Sequence, residues 1–271
     1  MFVVADIGGT KMRLAGSKDL QSFSEPVILD TPQDFETGVK VFLDTIEKIC
    51  YGEKPEKICV GLPGILNADR MSLFKAPHLR SWEKHDIKSY LEKEIGSKVF
   101  LENDTALVAL GEANFGAGKD FPIMMYLSVS TGVGGARIVN KKIDERRYGF
   151  EPGHHIVMID GKPHELEDLI SGTAIEKKYG KKPYEILDEE VWDECARHVA
   201  SAIYNLMLDW SPYGVVLGGS MFKEIGIKVE RVEYELKHLP VIFPDLPKIV
   251  KAELGDLGGL YGGVAYLKNI Q

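Results

Sequence analysis

The sequence contains few cysteines and no long apolar run. Its 271 residues include three cysteines, Cys50, Cys59 and Cys195, which lie far apart and form no C-x-x-C pair. An odd number at this spacing predicts neither a disulfide framework nor a cysteine zinc site, and a reducing cytoplasm fits best. No apolar run approaches the ~18 residues that a membrane-spanning helix needs, so no membrane association is expected.

An excess of basic residues is also absent. The formal net charge of −8 argues against a broad surface for nucleic acid or anionic membrane. No basic segment precedes the first apolar residues, and Asp6 follows them at once, so we expect no signal peptide. The hydrophobic content of 44% supports a substantial core, and the length suits one large or two ordinary domains.

The first residues form an apolar strand that runs into a glycine turn. Residues 2–5 are apolar, and Asp6 stands where the strand ends. The turn that follows consists of Gly8, Gly9, Thr10 and Lys11. One interpretation is a hairpin whose turn requires glycine. The other is a phosphate cradle of backbone N–H groups, the threonine hydroxyl and the lysine ammonium, with Asp6 facing a metal ion.

Strand and helix patterns alternate after this hairpin. We predict helices at 35–49, 86–95 and 105–115 and strands at 57–61 and 98–101. This alternation predicts an α/β architecture with a mostly parallel sheet and ligands at the carboxyl ends of its strands. A Gly-Ala-Gly sequence at 116–118 marks the expected domain boundary.

The second half of the chain repeats the strand and glycine-turn pattern. A strand at 123–130 enters a turn that contains Thr131 and Gly132, and a strand at 215–217 enters Gly218 and Gly219, after which we predict a helix. A long helix is predicted at 189–210. The glycines within 257–267 favour a helix packed closely on another element. Three strand-ending glycine turns together predict a nucleotide clamp, in which two turns hold phosphates and the third leaves space for adenosine.

Two polar clusters are candidates for chemistry. Asp104 follows a strand and begins a helix, where it either caps the helix or acts as a general base for phosphoryl transfer to an alcohol. Asn103 beside it offers a donor and an acceptor for neighbouring hydroxyls. Glu151 and His154, with Glu167 further along, are either solvated loop residues or ligands of a sugar ring.

Seven motifs resemble the ROK family of repressors, open reading frames and sugar kinases, within the actin-like ATPase superfamily. They are DIGGTK, GLPGILNAD, LENDTALVALGEANFGAG, STGVGGA, EPGHH, VVLGGS and LGDLGGLYGGVAYL, in the order that the family shows. The resemblance covers nearly the whole chain. It implies two ribonuclease H-like α/β domains, at 1–116 with the C-terminal helix 256–271 and at 117–255, with the active site in the cleft between them.

The resemblance also implies roles for individual residues. Asp104 would be the catalytic base and a sugar contact. The other sugar contacts would be Gly64, Asn103, Glu151, His154 and Glu167. ATP would be bound by Asp6, Gly8, Gly9, Thr10, Lys11, Thr131, Gly132, Gly218 and Gly219. Asp6 would face Mg²⁺, through water. A homodimer is implied as well.

The sequence departs from the family before Glu167. Most members have a zinc-binding cysteine cluster there, whereas this chain has DGKPHE at 160–165, so no zinc site is expected. A different metal site built from His154, His155 and His164 with Asp160 or Glu165 is a lesser alternative to a metal-free loop.

The sugar and the phosphoryl donor remain open at this point. Glucose, phosphorylated at its 6-hydroxyl, is the first expectation. The alternatives are an N-acetylhexosamine (N-acetylglucosamine or N-acetylmannosamine), polyphosphate as donor, a sugar-binding module and a sugar-responsive regulator. The regulator is disfavoured because the phosphate motif begins at Asp6 and leaves no room for a preceding DNA-binding domain.

Overall fold

The computed structural model describes residues 1–240 and 242–270. Its strands are β1 (Phe2–Ile7), β2 (Lys11–Ser17), β3 (Val27–Asp30), β4 (Lys57–Leu62), β5 (Ile65–Leu66), β6 (Leu73–Lys75), β7 (Lys98–Asn103), β8 (Ile123–Val129), β9 (Val133–Val139), β10 (Lys142–Ile143), β11 (Ile156–Ile159), β12 (Lys162–Glu165), β13 (Gly214–Gly218) and β14 (Lys248–Lys251). Its α-helices are α1 (Phe35–Ile49), α2 (Ile87–Ile95), α3 (Asp104–Phe115), α4 (Glu167–Ile170), α5 (Gly172–Tyr179), α6 (Glu189–Trp210), α7 (Val229–Lys237) and α8 (Gly258–Asn269). Within these described ranges no helix combines the length and apolarity needed to cross a membrane.

The chain divides into two compact units. Unit 1 contains Met1–Phe115, Glu145–Gly149 and Asp256–Gln271, and unit 2 contains Gly116–Asp144 and Phe150–Gly255. The sequence predicts one continuous domain at 117–255, whereas residues 145–149 belong to unit 1. They do so because Arg146 forms an ion pair with Glu102 of β7.

Unit 1 is built on a five-stranded sheet with the order β3-β2-β1-β4-β7. β1, β4 and β7 are parallel, but β1, β2 and β3 form an antiparallel meander. The prediction of a mostly parallel sheet is therefore wrong for the half of the sheet that the first hairpin starts. Asp6 in β1 lies beside Gly61 in β4, which lies beside Glu102 in β7, so the parallel strands end at one edge.

Helix α8 packs against α3 and the sheet through its glycines. A Cβ atom on Gly262 would lie 1.8 Å from the carbonyl oxygen of Leu107, and one on Gly263 would lie 3.0 Å from Val4. The two helices approach this closely because glycine has no side chain. The prediction of a tightly packed glycine helix near the end of the chain is confirmed.

Helix α1 begins at the predicted residue. The side chain of Asp34 accepts the N–H of Thr37 at 2.9 Å, an N-cap of a kind that contributes about 1 kcal/mol. Phe35, Val39 and Phe42 are buried on its inner face, in agreement with the helical spacing of the sequence.

Unit 2 has a second five-stranded sheet, with the order β10-β9-β8-β13-β14. As in unit 1, three antiparallel strands are followed by two parallel ones. The two units therefore share one strand arrangement, which is what the repeated strand and glycine-turn pattern suggests. Helix α6 covers the core of unit 2 with a buried stripe, of which Cys195, Val199 and Ile203 are members.

The segment after β13 differs from the prediction of an immediate helix. Ser220–Phe222 form one 3-10 turn, and α7 begins only at Val229. The N–H of Ile227 donates to the carbonyl of Met221 at 2.7 Å, and Gly226, at φ +154°, allows this reversal of the chain.

Candidate functional site

The first glycine turn is a hairpin closed by backbone hydrogen bonding. The N–H of Gly8 donates to the carbonyl of Lys11 at 2.8 Å, so this N–H is used within the turn. The ammonium of Lys11 lies 2.6 Å from the carboxylate of Asp30, and both side chains are exposed. An exposed pair of this kind is worth less than about 1 kcal/mol, so Lys11 can exchange Asp30 for a phosphate at low cost.

The carbonyl groups of this turn are held on one side by the segment after β3. The hydroxyl of Thr31 donates to the carbonyl of Gly8 at 2.8 Å, its N–H donates to that of Thr10 at 2.9 Å, and Gln33 donates to that of Gly9 at 2.8 Å. In a trans peptide the N–H points opposite to the carbonyl of the preceding residue. The N–H groups of Gly9 and Thr10 therefore face away from Thr31 and Gln33, as an anion-binding turn requires.

Asp6 is enclosed by two glycines at the end of β1. A Cβ atom on Gly259 would lie 2.6 Å from one carboxylate oxygen of Asp6, and a Cβ atom on Gly61 would lie 3.4 Å from the other. Burial raises the pKa of Asp6 to about 6, while Arg13 lowers it and Asp256 raises it. Because a carboxylate that is costly to ionise gains from a nearby cation, Asp6 with Asp256 close by fits a Mg²⁺ ion.

Gly61 also brings the predicted base close to Asp6. A Cβ atom on Gly61 would lie 3.5 Å from Cα of Asp104, and the same Cβ atom would lie 3.4 Å from the Asp6 carboxylate. The ends of β1, β4 and β7 thus bring the candidate metal ligand and the candidate base together within unit 1. This is the edge where α/β sheets place their ligands.

Asn103, rather than Asp104, caps helix α3. The side-chain oxygen of Asn103 accepts the N–H of Ala106 at 2.9 Å, and its amide donates to the carbonyl of Gly64 at 3.0 Å. Asp104 is the first residue of the helix, and one of its oxygens accepts the N–H of Thr105 at 2.6 Å. The helix cap is therefore Asn103 and not Asp104. The hydrogen bond between Asn103 and Gly64 also holds these two candidate residues together.

The second glycine turn, in unit 2, is tied to the start of α5. The carbonyl of Thr131 accepts the hydroxyl of Thr173 at 2.8 Å, and the carbonyl of Ser130 accepts the N–H of Gly172 at 2.7 Å. These bonds fix the turn between β8 and β9 against a helix N-terminus. The first N–H groups of α5 are used in these contacts and in the N-cap, where the hydroxyl of Ser171 accepts the N–H of Ala174 at 3.1 Å.

Glu167 lies directly against this turn. It accepts the N–H of Val133 at 2.7 Å, and a Cβ atom on Gly132 would lie 2.5 Å from the same carboxylate oxygen. The 3-10 turn of the EPGH motif reaches Val133 from another side, since a Cβ atom on Gly153 would lie 2.4 Å from the Val133 carbonyl. Unit 2 therefore brings Glu167 and the segment of His154 together around one residue.

Nδ1 of His154 lies 2.7 Å from the carboxylate of Glu165, within hydrogen-bond distance. His164 lies in β12, where it pairs with Val157 of β11. Among the described residues no three histidine, cysteine or acidic side chains are grouped so as to hold a metal ion. The alternative metal site with His155 therefore has no support in the arrangement of these residues.

The third glycine turn has a structural reason that the sequence did not show. A Cβ atom on Gly218 would lie 2.2 Å from the hydroxyl oxygen of Tyr126, and one on Gly219 would lie 2.2 Å from the carbonyl of Val129. Gly219 also has φ +96°, which L side chains rarely adopt. These two glycines make room for strand β8.

A cavity of about 580 Å³ opens in unit 2 beside the second and third turns. It is lined by Ser130, Thr131, Gly172, Thr173, Glu176, Lys182, Pro183, Tyr184, Ser220, Met221, Lys223, Glu224 and Ile225. This volume lies in the usual range of small-molecule sites. Three of these residues, Glu176, Lys182 and Tyr184, belong to no sequence motif, and the exposed aromatic ring of Tyr184 stands out only once the fold is known.

Comparison with known proteins shows to which family this chain belongs. The sequence profile of the ROK family matches residues 3–270, nearly the whole chain. The chain belongs to the ROK family. The resemblance inferred from seven motifs is thereby confirmed, and with it the α/β fold class.

Kinases named for different sugars are similar to this chain at nearly equal identity. A glucokinase of Streptomyces coelicolor is 28% identical over 95% of this chain and 94% of its own length. An N-acetyl-D-glucosamine kinase of Mannheimia succiniciproducens is 26% identical over 96% of this chain and 97% of its own. The crystal structure of a ROK hexokinase from Thermus thermophilus superposes with a TM-score of 0.84 at 26% identity and covers 99% of both chains.

Proposed function

We propose that this ROK protein is an ATP- and Mg²⁺-dependent kinase that phosphorylates a hexose, with glucose as the sugar and its 6-hydroxyl as the acceptor. One observation carries the proposal most directly: a Cβ atom on Gly61 would lie 3.4 Å from the Asp6 carboxylate and 3.5 Å from Cα of Asp104, so a candidate metal ligand lies near a candidate base. Phosphoryl transfer to an alcohol needs this pair of functions. The ROK relatives named as kinases support it.

Asp104 is assigned the general base. It would accept the proton of the sugar hydroxyl as that oxygen attacks the γ-phosphorus, a contribution of about 10²- to 10⁴-fold in rate. Asn103 and Gly64, joined by a hydrogen bond, would bind neighbouring hydroxyls, as would Glu151 and His154 of unit 2. Glu167 keeps one carboxylate oxygen on Val133 and would use the other.

The nucleotide is assigned to the glycine turns and the cavity of unit 2. The N–H groups of Gly9 and Thr10, with Lys11, would bind phosphate oxygens, as would Thr131 and Gly132. The aromatic ring of Tyr184 would stack on the adenine of ATP in the cavity. A Mg²⁺ ion held through Asp6 supplies charge neutralisation for the phosphates when it is bound.

An N-acetylhexosamine is the second candidate substrate. The observation that favours it is the near-equal identity to a glucokinase and to an N-acetyl-D-glucosamine kinase. Polyphosphate is the alternative donor, and a regulator or a sugar-binding module that lacks turnover is the alternative class. The lysines that line the nucleotide cavity would bind either donor, so only turnover separates them.

A sugar panel tests the proposal. ADP release is measured with MgATP and glucose, mannose, fructose, N-acetylglucosamine or N-acetylmannosamine, and sugar phosphate formation is measured again with polyphosphate in place of ATP. We expect the highest kcat/KM for glucose with ATP. Binding of these sugars without any turnover would contradict the kinase assignment and favour the binding module.

A further inference from the structure

Glu102 is a deeply buried carboxylate in unit 1 that the proposed chemistry does not use. It stands one residue before Asn103, with only 3% of its surface exposed. One oxygen accepts the N–H of Asn103 at 2.7 Å, and the other lies 2.6 Å from the guanidinium of Arg146. A buried carboxylate of this kind depends on its partners, since removal of one leaves a charge without compensation.

Arg70 is the second cation at this carboxylate. Its Nε lies 4.0 Å from Glu102, and its Nη2 donates to the carbonyl of Tyr148 at 2.7 Å. Arg70 has φ +57°, in the turn between β5 and β6. Glycine or asparagine adopts this left-handed conformation more readily, so the backbone alone gives no reason for an arginine here. The contacts of its side chain with Glu102 and with the Tyr148 carbonyl supply that reason.

Together these contacts hold residues 145–149 on unit 1. Arg146 and Tyr148 are the two residues held, and the segment continues along the chain to Glu151, two residues after Gly149. One carboxylate therefore fixes the backbone that carries Asp104 and also anchors the segment that leads to Glu151. In the proposed function, Asp104 and Glu151 both contact the sugar.

We propose that Glu102, Arg70 and Arg146 form a clasp that positions the sugar-binding residues for phosphoryl transfer. Glu102 is its central positioning residue, and it touches neither substrate nor nucleotide. This inference depends on the proposed function, because Asp104 and Glu151 bind the sugar only if that assignment holds. Loss of the clasp would then weaken use of the sugar while leaving nucleotide binding unchanged.

The test compares Arg146→Gln and Arg146→Lys with Arg231→Gln as the matched control. Arg231, in α7 of unit 2, is likewise an arginine held by ion pairs, with the carboxylates of Asp193 and Glu235, but it lies on no candidate site. For Arg146→Gln we expect at least a tenfold rise in KM for glucose, with KM for ATP changed less than twofold. The lysine variant should recover part of the loss, and the control should leave both KM values unchanged.

A double-mutant cycle assigns the effect to the pair. If Glu102 and Arg146 act together, Glu102→Gln combined with Arg146→Gln should raise KM for glucose no more than the more affected single variant does. Multiplication of the two single effects, or a parallel rise of KM for ATP, would overturn the clasp and indicate a general loss of structure.

Hydrogen exchange tests the clasp without any turnover. In Arg146→Gln the peptides that cover 145–149 and Asn103 should exchange at least tenfold faster than in the wild type, whereas those of α6 should not change. If no sugar is phosphorylated by the wild type, the proposed function fails, and exchange alone then judges the clasp. Unchanged exchange of both segments would overturn it.

Discussion

Replacement of Asp6 by asparagine should stabilise the protein at neutral pH while it removes the metal-dependent activity. The pKa of Asp6 is raised from 3.8 to about 6, chiefly by burial. At 1.36 kcal/mol for each pKa unit, ionisation in the native state costs about 3 kcal/mol. This is an upper limit because Asp6 is partly exposed.

The sign of this effect gives the prediction its pH dependence. Unfolded Asp6 ionises near pH 4 and native Asp6 near pH 6, so the wild type pays nothing at lower pH and the whole cost above about pH 7. Asp6→Asn should therefore gain stability over the wild type as pH rises from 4 to 7. For a chain of this size the gain amounts to at most about 10 °C in Tm.

The assay is thermal unfolding from pH 4 to pH 8 without nucleotide or Mg²⁺. Asp86→Asn is the matched control, because Asp86 is the exposed N-cap of α2 and its side chain accepts the N–H of Ser89 at 3.1 Å. A constant difference between Asp6→Asn and the wild type at every pH, or a loss of stability at pH 7.5, would refute the reasoning. With MgATP present, the wild type and the Asp86→Asn control should gain stability, whereas Asp6→Asn should not.

Two further predictions concern the packing of unit 1 and the cavity of unit 2. Gly262→Ala should lower the free energy of unfolding by about 1–3 kcal/mol in a urea titration, because its Cβ atom would lie 1.8 Å from the Leu107 carbonyl; an unchanged midpoint would contradict the packing. Tyr184→Ala should raise KM for ATP about tenfold or more, the loss of one stacking contact, with KM for glucose unchanged. Tyr213→Ala, which removes an equally exposed tyrosine of unit 2 outside the cavity, should change neither value, and equal effects of both variants would exclude a nucleotide contact of Tyr184.

The sequence predicts what depends on short stretches of chain. The first hairpin, the helix that begins at Phe35 and the glycine helix near the end of the chain follow from local chemistry, because turns, amphipathic helices and close packing require particular residue types. These features agree with the structure. The family and the fold class agree too, since seven ordered motifs are more specific than any single one.

Contacts between distant residues were beyond the sequence. The glycines at 218 and 219 show only that side chains are absent, and the structure adds that Tyr126 and Val129 occupy the space. Arg146 of segment 145–149 contacts Glu102, which lies 44 positions earlier in the chain. No sequence pattern around either residue predicts this contact. Beyond the first hairpin, the antiparallel half of each sheet likewise depends on pairing that the alternation of strands and helices does not specify.

Asp104→Asn tests the central claim of this account most directly. Glucose-dependent ADP production and glucose affinity by calorimetry are measured for this variant, for Asp86→Asn and for the wild type. We predict that kcat falls by about 10²- to 10⁴-fold in Asp104→Asn while the Kd for glucose changes less than about threefold, because a base is lost and the shape of the site is kept. Asp86→Asn should match the wild type. Near-normal kcat in Asp104→Asn would contradict the assignment of Asp104 as the base.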